Sequence, residues 1–289
     1  MSWLEGRAAG AMITVEVSGT ARALAFDPAY AGNAMVMSGE QFGIDVGLPR
    51  LLDLLADLEV PATFFVCGLA AEQEPALVGQ LLAAGHEVAH HGYGHRPPTQ
   101  MSEPEEREDF ERGLDVLARL GATVHGHRAA LKSPSMRSAA LAAEHGLAYD
   151  SALFDDDRPY VLDTGAGHVV ELPPAWELDD WVQFAFDPAS SESHGAKAAG
   201  AVAGGWQLGL DAARLEDGLF MLSLHPAVTG RASRIAALRR LLERATERGD
   251  LTFLTGRQAA ARAAADHCLP RRALARLDPR PDQAVFPVA

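Results

Sequence analysis

Short apolar runs alternate with longer amphipathic segments along most of this chain, and that alternation points to repeated β-α units in one α/β domain. The run 62–66 is apolar enough to read as a strand buried on both faces. Further strands are expected over 12–17, 87–90, 124–128, 147–150, 168–172, 219–224 and 251–254. Helices are expected over 48–58, with Pro49 in the first turn, and over 75–84, 102–120, 137–145, 234–248 and 257–266. Ser102 with Glu105 forms a capping box, and Gly85, Gly121, Gly146 and Gly249 stand where helices stop. Residues 154–205 read as loop-rich, with 168–172 as their best strand. No linker or internal repeat divides the chain. We therefore expect one barrel-like domain over 12–266, a leading segment 1–11 and a tail 267–289.

With 289 residues, 48% hydrophobic and 22% charged, the chain can bury a sizeable core. The net charge of −14 repels nucleic-acid backbones and anionic membrane surfaces, and no basic cluster interleaved with aromatics offsets it. Neither nucleic acid nor membrane is expected as a partner. No stretch approaches the roughly 18 apolar residues of a membrane span, and the N-terminal apolar segment reads as a first core strand rather than a signal peptide. A cytoplasmic location is the resulting expectation. Two cysteines give no disulfide framework, and Cys67 sits in an apolar run as a buried, inert thiol.

The sharpest local feature is His90-His91-Gly92-Tyr93-Gly94-His95, directly after an expected strand. The two glycines permit a tight turn, so His91 and His95 could both face one ion; a polar loop of hydrogen-bonded histidines is the competing reading. His225 ends the strand 219–224 and is pinned by Pro226, a good place for proton transfer or for a satisfied core histidine. Arg128 also ends a strand, to hold a carboxylate or to face solvent. The acidic run Asp155-Asp156-Asp157 is either a solvated loop or the rim of a site.

In this order the segments resemble the polysaccharide deacetylase superfamily (carbohydrate esterase family four), in its cytosolic branch of peptidoglycan-deacetylase-like, allantoinase-like and cyclic-imide-hydrolase-like proteins. The matching stretches are 60–66, Gly85-His86-Glu87-Val88-Ala89 leading into the histidine loop, Gly126-His127-Arg128-Ala129 and Tyr149-Asp150-Ser151. They continue through Asp156-Asp157-Arg158-Pro159-Tyr160, Glu171-Leu172-Pro173, Leu178-Asp179-Asp180-Trp181, Leu224-His225-Pro226 and Gly230-Arg231. The resemblance implies an irregular (β/α) barrel with its site at the strand C-termini. It also implies a hydrolase that drives water onto the carbonyl of a non-peptide C–N bond. On that resemblance His91 and His95 are metal ligands, His225 is the general acid, Arg128 orients the base, and Glu16 falls at the base position.

The family's first-strand Asp-x-Asp is not matched. The chain reads Val15-Glu16-Val17-Ser18-Gly19, so Ser18 stands where a metal-binding carboxylate is expected. A hydroxyl is a neutral, poor ligand for zinc-like ions, and a divalent metal at His91/His95 is expected to be weak or absent. Three readings stay open. Glu16 or one of Asp155 to Asp157 could fill the gap, the metal could be held by histidines and water, or the site could run without metal. Ser18, Tyr93, Asp156, Asp157 and Trp181 are the expected substrate-facing residues. A small amide, ureide or imide is the expected substrate. The contrasting reading is a catalytically silent scaffold or ligand-binding protein. Resemblance also suggests a homo-oligomer, and the apolar stretch 284–288 of the tail could dock on a neighbour or fray.

Overall fold

In a computed structural model, residues 3–185 and 197–277 are described, so the apolar stretch 284–288 lies outside the described residues. Ten strands form one sheet: β1 Ala9–Val17, β2 Ala62–Val66, β3 Glu87–His90, β4 Gly126–His127, β5 Tyr149–Asp150, β6 Tyr160–Asp163, β7 His168–Glu171, β8 Leu219–Leu224, β9 Leu251–Phe253 and β10 Arg271–Ala273. Their order is β10-β6-β7-β5-β4-β3-β2-β1-β8, with β9 also on β1. All pairs are parallel except β6 with β7.

The expected α/β architecture is present, but the barrel does not close. Among the described residues no pairing joins β8 or β9 to β10. Closure needs a continuous ladder with a fixed stagger. Here β4 and β5 contribute two residues each, and the antiparallel β6–β7 pair turns the sheet away at one end. The sheet also overruns its expected limits. Strand β1 begins at Ala9, and Arg271–Ala273, in the expected tail, pairs with β6.

Most elements lie where the alternation puts them, β7 within 168–172 included, but the described residues of 154–205 hold more regular structure than a loop-rich stretch. They hold β6, the short helix Asp180–Phe184 and the start of the helix Ala199–Leu215. Gly200, Gly204, Gly205 and Gly209 give this last helix weak intrinsic propensity. It forms by packing Val202, Ala203, Trp206 and Leu210 into the core.

The two faces of β1 differ. Ala9, Ala11, Ile13, Val15 and Val17 pack outward into the main core with helix Leu48–Asp57 and the 232–247 helix. Met12 packs inward with Phe65, Tyr149, Met221 and the helix Gly256–Ala265. By the two-residue period of a strand, Thr14 and Glu16 share the inner face with Met12. On β8 the same face carries Met221 and Ser223 and leads to His225. The register sets Met12 beside Met221 and Thr14 beside Ser223. The inner face thus changes from apolar to hydroxyl to ionisable toward the strand C-termini.

The segment after His225, Pro226–Thr229, packs on a π-helical turn Gly43–Gly47 that runs into the helix Leu48–Asp57. The backbones nearly touch: a Cβ on Gly230 would lie 2.2 Å from Gly47 Cα and 2.4 Å from Pro226 O. Gly230→Ala is therefore expected to destabilise the fold by about 1–3 kcal/mol through overpacking, measured as a shift of the urea midpoint at unchanged slope.

Candidate active site

Glu16 ends the inner face of β1 and is almost wholly buried. Its Oε1 accepts from Arg128 Nη1 at 3.1 Å and Lys132 Nζ at 2.6 Å. Its Oε2 accepts from His225 Nε2 at 3.1 Å and lies 3.6 Å from His91 Nε2. Burial alone would push this carboxyl up. Lys132, His225 and His91 outweigh it and hold Glu16 well below the usual carboxylate range.

Arg128, fully buried, lies across the inner face. Its Nη1 also donates to Thr14 Oγ1 (2.9 Å) and Ser223 Oγ (3.2 Å). Nη2 donates to Ser151 Oγ (2.9 Å), Nε donates to Ser151 O (3.1 Å), and the guanidinium stacks 4.1 Å above Phe65. A buried guanidinium is tolerable only when its donors are satisfied this fully.

His225 carries a hydrogen bond on each ring nitrogen. Nδ1 donates to Asp180 Oδ1 at 2.6 Å, and Asp180 Oδ2 accepts from the His225 backbone N–H (2.9 Å) and Thr229 Oγ1 (2.5 Å). Burial would lower this imidazole, but Asp180, Glu16 and their hydrogen bonds raise it to about 10. His225 is thus protonated at neutral pH, with the Nε2 proton on Glu16.

His91 and His95 are opposite in character. His91 Nδ1 donates to Arg128 O at 2.8 Å, which leaves Nε2 as a buried lone pair with no hydrogen-bond partner among the described residues. Burial pushes His91 down to about 4, despite the pull of Glu16. His95 stands 5.0 Å away, ring to ring, on a backbone with φ of +59°, and burial also lowers it well below the usual range. Asp109 fixes their loop by accepting from the backbone N–H groups of Tyr93 (2.8 Å) and Gly94 (2.9 Å).

A shallow cleft, open to solvent, reaches this cluster. Glu16, Ser18, Arg22, Glu40, Trp181 and His225 line it.

Two sets of side chains could bear on a metal. The neutral imidazoles of His91 and His95 suit one, but Ser18 supplies no charge. Asp179, Asp180 and His225 bring ligand atoms within 4.8 Å of one another. Those atoms are already engaged: Asp180 with His225 and Thr229, and Asp179 with the Trp181 N–H and Lys132. Glu16, Asp179 and Asp180 are matched by Arg128, Lys132 and protonated His225. A divalent ion would add two charges that no free carboxylate in the cluster answers among the described residues. The donor set does not fit a zinc-like ion.

A search against family models matches residues 19–149 to Polysaccharide deacetylase. A crystal structure of a polysaccharide deacetylase-type protein from Mycobacterium smegmatis is 36% identical, superposes with a TM-score of 0.90, and the match covers 94% of this chain and 96% of that one. The chain belongs to the polysaccharide deacetylase family. With that family comes hydrolysis of C–N bonds other than peptide bonds, the class expected from the sequence. The peptidoglycan deacetylase of Helicobacter pylori is 25% identical over 241 residues, 74% of this chain and 82% of that protein. PuuE allantoinase, 23% identical with a TM-score of 0.80 over 91% of this chain and 92% of its own, shares the fold.

Of the residues singled out by sequence, Glu16, Arg128, His225, His91 and His95 come together in this family member, with Ser18 and Trp181 on the cleft. Three do not join them. Tyr93 turns outward, where its hydroxyl donates to Glu72 (2.9 Å) and Arg112 stacks 3.5 Å from its ring. Asp156 is tied to Arg272. The Asp157 carbonyl accepts from Leu219 N–H (3.2 Å) at the start of β8, roughly 20 Å along the strand from His225. Asp155 and Asp156 clamp the C-terminal strand through Arg272, and the acidic run does not line the cleft.

Lys132, Arg22 and Glu40 escaped the sequence reading, and Asp179 and Asp180 entered it only within the matching stretch 178–181, with no role of their own. One signal was available for Lys132, which is one of only two lysines among 25 basic residues. It sits in a turn where Leu131 and Lys132 have φ of +55° and +48°, a left-handed pair that costs energy in non-glycine residues. Its ammonium bridges Glu16 and Asp179. Lys132→Met would leave both buried carboxylates short of a cation and is expected to cost about 3–5 kcal/mol. Thermal and urea unfolding across pH would show the deficit shrinking in acid as Glu16 takes up a proton.

Proposed function

We propose that this deacetylase-family hydrolase opens a small amide, ureide or imide by carboxylate and histidine acid–base chemistry, without a metal. The observation that carries the reading is the convergence of Glu16 and protonated His225 on one cleft, inside a charge-balanced set of buried partners.

In the resting site Glu16 is an anion and His225 a cation, joined through Nε2 and Oε2. Substrate and water enter between them. Glu16 Oε2 and the His91 Nε2 lone pair are the two acceptors that aim the water. Glu16 takes its proton as the oxygen bonds to the carbonyl carbon. Lys132 and Arg128 keep the carboxylate ionised and oriented, and they supply a positive field for the charge that develops on the carbonyl oxygen. His225 then gives its Nε2 proton to the leaving nitrogen, with Asp180 holding the ring through Nδ1. The proton on Glu16 passes to the emptied Nε2 across the 3.1 Å contact, which restores the starting state.

A low carboxylate pKa makes Glu16 a weak base in the resting state.

Two measurements test the reading on a panel of hydantoins, imides and N-acetyl sugars. Glu16→Gln is expected to lower kcat/KM by about 10³-fold or more, within the range for a lost catalytic proton transfer and its water-orienting group. Exhaustive chelation should leave turnover unchanged; its loss on chelation and return with a divalent ion would refute the metal-free scheme. The pH profile has a definite sign. Glu16 must be ionised, so activity falls only in acid, below the usual carboxylate range. His225 must be protonated, so activity persists above neutrality and falls as pH rises through about 10.

A further inference from the structure

The cleft that Glu16 and His225 line also carries a second ion pair that the scheme above does not use. Arg22 comes from the helix Ala21–Phe26 and Glu40 from the helix Ala34–Phe42. Arg22 Nη2 donates to Glu40 Oε1. The guanidinium lies 4.0 Å over the ring of Trp181, which in turn stands 5.5 Å edge-on from His225. Arg22, Trp181 and His225 thus form a continuous line from the second pair to the reacting centre.

An ordinary surface ion pair is exposed and contributes little. This one is different. The Glu40 side chain is only 8% exposed, and the Arg22 side chain 22%. Each group also keeps a free edge. Among the described residues Glu40 Oε2 accepts no hydrogen bond, and Arg22 makes no other through Nε or Nη1. A buried carboxylate that uses one of two oxygens, in the wall of the cleft, is an acceptor open to a donor from a ligand.

We propose that the Arg22–Glu40 pair is the substrate-reading element of this cleft: Glu40 accepts an N–H, and Arg22 donates to a carbonyl, where the two lie side by side on the substrate beyond the scissile bond. This rests on the hydrolase reading above and extends it to specificity. The chemistry that fits is a neutral group with adjacent donor and acceptor, –NH–C(=O)–, held without adding charge to a balanced site. A simple monoamide offers nothing to this pair once its own N–C bond is at the reacting centre. Trp181 acts as a positioning residue by covering one face of the guanidinium.

Hydantoin and 1-methylhydantoin test this, since they differ in one N–H away from the bond to be cleaved. Both kcat/KM and equilibrium binding, by calorimetry, are measured on the full chain. The wild type should prefer hydantoin by at least about tenfold, the cost of leaving a buried charged acceptor unpaired. In Glu40→Gln the lone amide oxygen is taken by Arg22, so the edge facing the cleft becomes a donor, and the preference should fall to within about twofold. Should Glu40→Gln fail to fold, the wild-type ratio decides alone. Equal handling of both compounds by the wild type, or binding of neither, overturns the inference. Discriminating binding without turnover supports the inference while sinking the hydrolase reading.

Discussion

A carboxylate buried as deeply as that of Glu16 cannot stay ionised unless the protein rebuilds the solvation that water supplied. Arg128, Lys132 and His225 do that work, and each is itself buried and partnered. Arg128 is held by Thr14, Ser151 and Ser223, Lys132 by Asp179, and His225 by Asp180. Three anions and three cations form one interlocked unit. Removing any member leaves a neighbour uncompensated in a low-dielectric interior, so the arrangement tolerates neither an extra charge nor a missing one. The poor fit of a divalent ion and the importance of Lys132 follow from the same balance.

The sheet supplies this unit through a simple gradient along its inner face. Met12 and Met221, then Thr14 and Ser223, then Glu16 and His225 form successive layers on neighbouring strands. The apolar layer closes the bottom of the fold with Tyr149 and the helix Gly256–Ala265. The hydroxyl layer anchors Arg128, and the ionisable layer opens to the cleft. An open sheet serves as well as a closed barrel, because the gradient needs parallel strands in register and nothing from the far edge.

Much of this was legible in the sequence. Strands 62–66, 87–90 and 219–224 were readable to the residue, His91, His95, Arg128 and His225 stood out at strand ends, and Glu16 came from the family resemblance. What stayed hidden depends on tertiary contact. Lys132 and Asp179 are far apart in sequence and acquire meaning only as partners. Arg22 and Glu40 lie in a stretch of short helices with no strong period. Residues 199–215 are helical because the core receives Trp206 and Leu210, against the preference of their glycines. The errors have the same origin. An acidic run at a domain edge and one at a site rim look alike, and a tyrosine between two glycines can turn to either side; here the loop is pinned by Asp109 and Tyr93 faces out.

Most of the ionisable unit hangs from the ends of separate strands: Glu16 from β1, Arg128 and Lys132 after β4, and His225 after β8, while Asp179 and Asp180 stand at the start of the helix Asp180–Phe184. No single hairpin or helix contains it. Partial melting of any of these strands therefore dismantles the whole constellation at once, rather than weakening it by degrees. Loss of catalytic competence on heating or in denaturant should track the cooperative transition itself, which would make turnover a sensitive internal gauge of how much of the population is intact.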